Sequence, residues 1–135
     1  HESVRHLLSK QLDGPVVMLN LLRFRAQADY QATPNLAPEE PITGRVAYKL
    51  YMVHTAPFLA EAGGRVLWAG DGGAPIIGPM DERWDRVLLV EHQSVQAFLS
   101  FAQNDAYLAG VGHRTAALAD SRLLPLTALP IAPAT

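Results

Sequence analysis

The run Val16-Val17-Met18-Leu19-Asn20-Leu21-Leu22-Arg23-Phe24 is apolar at almost every position, broken only by Asn20 and Arg23. Asp13-Gly14-Pro15 precedes it as a turn, so its length and composition predict a buried strand. Alternate residues of a strand point to opposite faces. Val16, Met18 and Leu22 therefore share one face, and Val17, Leu19 and Leu21 share the other. Both faces are apolar, whereas an antiparallel sheet with one wet face should alternate apolar with polar.

Working outward, residues 2–12 place Val4, Leu7 and Leu8 at helical spacing and predict a short N-terminal helix. Residues 25–42 hold Pro34, Pro38 and Pro41 among polar residues and read as a long loop, either a lid or a surface insertion. Thr43 can cap a helix running to Gly63-Gly64, bent near its end by Pro57, with Val46, Leu50, Val53 and Leu59 expected to face the core. Arg65 to Gly70 is a second strand, residues 71–83 a hairpin loop, and Trp84 to His92 a third strand. Ser94 caps a helix through Gln103, and Asn104 or Asp105 restarts one through Leu118. Ser121 to Leu129 is the last strand.

The order β-α-β-β-α-β predicts an α+β, ferredoxin-like fold with a four-stranded antiparallel sheet and an extra N-terminal helix. One domain fills the 135 residues: the helix over 1–14, the core over 15–129 and a tail over 130–135. The third and last strands are also apolar on both sides, through Leu88 and Val90 against Val87 and Leu89, and Leu123 and Leu129 against Leu124 and Leu126. Two helices cover one face, and the other exceeds what a soluble monomer usually exposes. A homodimer packed sheet to sheet is the expected cover.

A net charge of −2 gives no electrostatic footprint for nucleic acid or an anionic membrane. The apolar stretches are strand-length, so no membrane span is expected. No targeting segment is read at the N-terminus, and the absence of cysteine excludes thiol chemistry and suits the cytoplasm. The five histidines have no metal-ligand spacing, no glycine motif leads from strand to helix, and no serine lies in a nucleophile elbow. Neither metal nor cofactor is expected.

Several elements in order carry a resemblance: Met18 to Phe24 (MLNLLRF), Ala47-Tyr48 with Tyr51, Gly63-Gly64, Trp84 to Glu91 (WDRVLLVE), Tyr107, and His113 to Leu124 (HRTAALADSRLL). Together they resemble the domain of unknown function 1330, within the dimeric α/β-barrel superfamily, over residues 15–126. The sequence departs from that pattern at His92-Gln93-Ser94, where the family more often has an aromatic residue, Pro and Ser, and this tells against His92 as a shared functional residue. The resemblance implies a homodimer whose sheets form a barrel, with a pocket in the barrel or between sheet and helices. It implies no particular activity. Relatives in the superfamily include cofactor-independent monooxygenases, isomerases and haem-degrading enzymes.

Candidate site residues are few. Asn20, a side-chain amide among leucines, either orients a ligand or makes a structural hydrogen bond. Tyr48, Tyr51 and His54 follow at steps of three and read as one helical stripe that either lines a pocket or divides between core and rim. Trp68 is a pocket wall or packing, and Trp84 likewise. Asp85, Arg86 and Arg23 are candidate ion-pair partners across a dimer. Arg114 and Arg122 either clamp helix to strand through Asp120 or bind a carboxylate. His113 and His54 are the candidate proton-transfer groups, with haem ligation a further option for His113. Three functions stay open: an enzyme on a small organic molecule (a cofactor-independent oxygenase or isomerase), a small-metabolite binding module, and a structural dimer.

Overall fold

The computed structural model describes residues 14–131 together with Glu2 and Arg5. The helix expected over residues 2–12 and the end of the tail lie almost wholly outside the described residues. The remaining elements are β1 (Val16–Phe24), a short 3-10 turn (Pro34–Leu36), α1 (Gly44–Glu61), β2 (Arg65–Gly73), β3 (Trp84–His92), α2 (Val95–Ala102), α3 (Asp105–Leu108), α4 (Val111–Ala117) and β4 (Leu118–Leu126). The strands form one antiparallel sheet in the order β2-β3-β1-β4, the ferredoxin-like arrangement.

The helix starts follow from their capping residues. Thr43 Oγ1 accepts from Val46 N at 3.2 Å, Ser94 Oγ from Ala97 N at 3.0 Å, and Asn104 Oδ1 from the Ala106 and Tyr107 amides. At the far end of α1, Gly63 has φ 77°, a left-handed conformation that reverses the chain into β2.

Four boundaries differ from the sequence reading. β2 runs on to Gly73, because the glycines there pair with the start of β3. The helix expected over 104–118 is two pieces, α3 and α4, parted at Ala109-Gly110. β4 starts at Leu118, where it pairs with Phe24, and ends at Leu126, ahead of Pro130. The 25–42 segment is tied down by backbone hydrogen bonds from Arg25 to Ala117, Ala28 to Ile42 and Asp29 to Ala116.

The expected core face of α1 is corrected. Val46, Leu50 and Val53 are exposed, and the buried stripe is Gly44, Ala47, Tyr48, Tyr51 and Thr55. The helix is apolar nearly all round, so spacing alone could not choose its inner side. Small residues at 44 and 47 and the flat tyrosine rings make the better packing surface.

The buried residues of β1 are Val16, Met18, Asn20 and Leu22, all on the helix-facing side. Here the core divides. Leu22 belongs to a cluster with Ala47, Tyr48, Tyr51, Leu88, Ala117 and Leu118, whereas Val16 and Met18 pack with Val95, Phe98 and Leu99. Asn20 lies between the two clusters on the same face. On the other face Val17, Leu19, Leu21, Val87 and Leu89 are half-buried, and Leu124 and Trp68 are exposed. Among the described residues no helix packs on that side.

Candidate functional site

A cavity of about 420 Å³ occupies the gap between the two core clusters, bounded by the sheet below and the helices above. That volume falls in the roughly 300–1,000 Å³ range of small-molecule sites. β1 contributes Met18 and Asn20, and β3 contributes Leu88, Val90 and His92. Helix α1 contributes Tyr48, Tyr51, Met52 and Thr55, and Phe101, Tyr107 and Arg114 close the roof. Leu108 and Leu123 are 46% and 49% exposed, which marks where the cavity meets solvent.

The polar groups in this wall are distinct in kind. Asn20 donates through Nδ2 to Met18 O at 3.2 Å, its one hydrogen bond among the described residues. Tyr51 and Tyr107 join hydroxyl to hydroxyl at 2.8 Å. Burial, reinforced by Tyr51 nearby, pushes the Tyr48 hydroxyl far above the ordinary phenol range, and the Arg114 guanidinium beside it offsets this only in part. Tyr107 is raised for the same first reason. Both phenols are therefore neutral donors.

Arg114 is half-buried, and among the described residues no carboxylate lies within ion-pair distance of it. Of the helix-to-strand clamp expected of Asp120 with Arg114 and Arg122, only the Arg122 pair forms, at 2.6 Å, and since both of its residues lie on β4 it ties no helix to the strand. His92 is 2% exposed, and burial lowers its imidazole below the ordinary 6.5, so it is neutral at pH 7. Among the described residues its Nδ1 has no hydrogen-bond partner, nor has Thr55 Oγ1, and both residues line the cavity.

Of the residues expected from sequence, the structure brings Asn20, Tyr48, Tyr51 and Arg114 to one cavity. It does not bring His54, His113, Trp68 or Trp84 there. His54 Nε2–H donates to the carbonyls of Ala106 and Tyr107 at 2.9 and 3.2 Å, tying α1 to α3. Gly110 makes room for that ring, since a side chain at 110 would collide with it. His113 is bonded through Nδ1 to the Tyr30 hydroxyl at 2.8 Å. Trp68 is 56% exposed and folds over Gly70 on β2. Trp84 carries two guanidinium groups, Arg23 at 4.9 Å and Arg122 at 5.2 Å.

The cross-dimer ion pairs expected of Asp85, Arg86 and Arg23 are satisfied within the chain. Asp85 accepts from Phe24 N at 2.8 Å, Arg86 pairs with Asp71 at 3.0 Å, and Arg23 donates to the carbonyls of Asp81 and Arg83.

Sequence reasoning gave little weight to His92 and did not consider Thr55. A signal for each was present. His92 shares the inward parity of Leu88 and Val90, and Thr55 lies seven residues, almost two full helical turns, after Tyr48.

The fold and the cavity define a ferredoxin-like domain with a ligand-sized gap between sheet and helices. The chain belongs to the family described as Domain of unknown function (DUF1330), whose model matches residues 38–125. It is similar to a protein of unknown function from Rhodopseudomonas palustris, at 36% identity over 96% of this chain and 94% of that one, with a TM-score of 0.82. A NIPSNAP domain protein from Burkholderia xenovorans matches at 10% identity, over 88% of this chain and 99% of that one, with a TM-score of 0.53. A dabb family protein with a ferredoxin-like fold from Mesorhizobium loti matches at 13% identity, over 87% and 100%, with a TM-score of 0.50. The last two likenesses are of fold alone. Among curated proteins none matches the chain. No described helix is long and apolar enough to cross a membrane, and no cluster of three or more described His, Asp or Glu residues is placed to hold a metal.

Proposed function

We propose that this chain binds a small organic molecule in the cavity between sheet and helices, and does so as a homodimer joined through the open sheet face. The observation that carries the first part is the interruption of the core at Asn20. A strand that packs Val16, Met18 and Leu22 into two tight clusters leaves a side-chain amide facing the gap between them. A buried amide with one hydrogen bond has spare donor and acceptor capacity that costs stability unless something uses it.

The second part rests on the apolar residues of the opposite face, Val17, Leu19, Leu21, Val87, Leu89 and Leu124, for which a second copy presents a matching surface. The test of binding is a thermal-shift screen of small organic acids, phenols and neutral isosteres against the wild type and Asn20→Leu. A ligand that binds only the folded protein raises the melting temperature with concentration. Stabilisation of the wild type and none of the variant supports the reading; no stabilisation of either overturns it.

The catalytic form of this reading, a cofactor-independent oxygenase or isomerase, draws on a different observation. His92 is a neutral imidazole lining the cavity, suited to accept a proton near pH 7. Turnover of a bound ligand that His92→Gln abolishes supports it, and binding without turnover leaves a metabolite-binding module.

A further inference from the structure

The polar groups of the cavity differ along its length, and that difference specifies a ligand. Near the Leu22 end, Arg114 stands beside the Tyr48 hydroxyl with no carboxylate to neutralise it among the described residues. A guanidinium in a partly desolvated wall is a site for an anion, and a carboxylate is the small organic group that matches its fork. At the other end His92 pairs with Val16 in the sheet and packs against Phe98 and Phe101. This end holds the two buried side-chain polar atoms that have no partner among the described residues, His92 Nδ1 and Thr55 Oγ1. An unsatisfied buried polar atom is costly and uncommon. Both atoms are closed off from the gap as the side chains stand, and a small rotation of each toward the adjoining cavity lets a ligand group serve as the partner it lacks.

Between the ends the wall is apolar and aromatic, through Met18, Leu88, Val90, Phe101 and the ring of Tyr51. We infer that the ligand is a small aromatic carboxylate: its carboxylate pairs with Arg114 and Tyr48, its ring lies over Leu88 and Val90, and a hydroxyl or carbonyl at its far end meets Thr55 and His92. Asn20, midway along β1, contacts the body of the ligand. The inference deepens the binding reading above and depends on it.

Isothermal titration with matched probes tests it: para-hydroxybenzoate and para-hydroxycinnamate, their neutral amides, and benzoate and cinnamate without the hydroxyl. The wild type should bind the acids roughly ten- to hundredfold more tightly than the amides, the worth of a charge-assisted hydrogen bond. Arg114→Gln should erase that preference while leaving amide affinity within about threefold. Thr55→Val should weaken the hydroxylated acids by about three- to tenfold and leave benzoate and cinnamate unchanged. Because Arg114 is only half-buried, its variant folds, and circular dichroism of each variant confirms this. Equal binding of acids and amides, or an acid preference that survives Arg114→Gln, overturns the carboxylate assignment alone. Failure of both series to bind overturns that assignment and the cavity reading with it.

Discussion

The hydroxyl of Tyr30 lies 2.8 Å from Nδ1 of His113, across 83 positions of sequence, and fastens the 25–42 segment to the last helix. Burial depresses the His113 imidazole first, and the nearby His54 adds to it. The ring is therefore neutral near pH 7, and its Nδ1 shares one hydrogen bond with the Tyr30 hydroxyl in which either atom can be the donor. No residue of the segment reaches the cavity wall. Tyr30→Phe should cost about 1 kcal/mol of stability, the usual net worth of one such bond. Urea denaturation measures this, and ligand affinity should not change.

His92 and His113 give stability a defined pH dependence. Both have folded-state values below the ordinary 6.5, so the unfolded chain binds more protons in the window just beneath that value. Stability then rises with pH through the window and is fully present above 6.5. Urea midpoints taken between about pH 5 and pH 8 should climb and then level, and His113→Gln should flatten part of the climb.

Replacing Asn20 by Leu exchanges an under-used amide for an apolar side chain facing Leu88 and Leu123. The unliganded protein should become more stable by about 1 kcal/mol, since a polar group with one hydrogen bond gives way to packing. Ligand-induced stabilisation should vanish at the same time. Gain of stability with loss of function is the expected signature of a residue kept for a site.

A charge on the open sheet face should separate the subunits. Leu19 and Leu89 oppose one another on adjacent strands of that face. Leu19→Glu should yield a species of one-chain mass in sedimentation at micromolar concentration, where the wild type sediments at twice that mass. A wild type already at one-chain mass removes the dimer.

Much of the fold was legible because its signals are local. The two-faced alternation of Val16 to Phe24, the caps at Thr43, Ser94 and Asn104, and the reversal at Gly63 each follow from neighbouring residues. The choice of face on α1 was not local, because Val46, Leu50 and Val53 are as apolar as the stripe that is buried. The site was half legible for a geometric reason. Steps of three residues fall short of a helical turn, so the stripe from Tyr48 through Tyr51 has swung about 120° away by His54. That rotation takes His54 to the α3 carbonyls, whereas Thr55 comes back over the cavity. Arg114 meets the cavity through long-range packing that no sequence spacing encodes, whereas His92 follows the inward parity of Leu88 and Val90.

The three methionines offer the most direct measurement of the central claim. Met18 and Met52 line the cavity, whereas Met80 is 79% exposed in the β2–β3 loop. With methionine methyl groups labelled with carbon-13, three signals report at once on the inside and the outside of the protein. Titration with para-hydroxybenzoate or para-hydroxycinnamate should move the Met18 and Met52 signals to saturation and leave Met80 in place. Saturable movement confined to Met80, or no movement of Met18 and Met52 at any concentration, would contradict a ligand in the cavity.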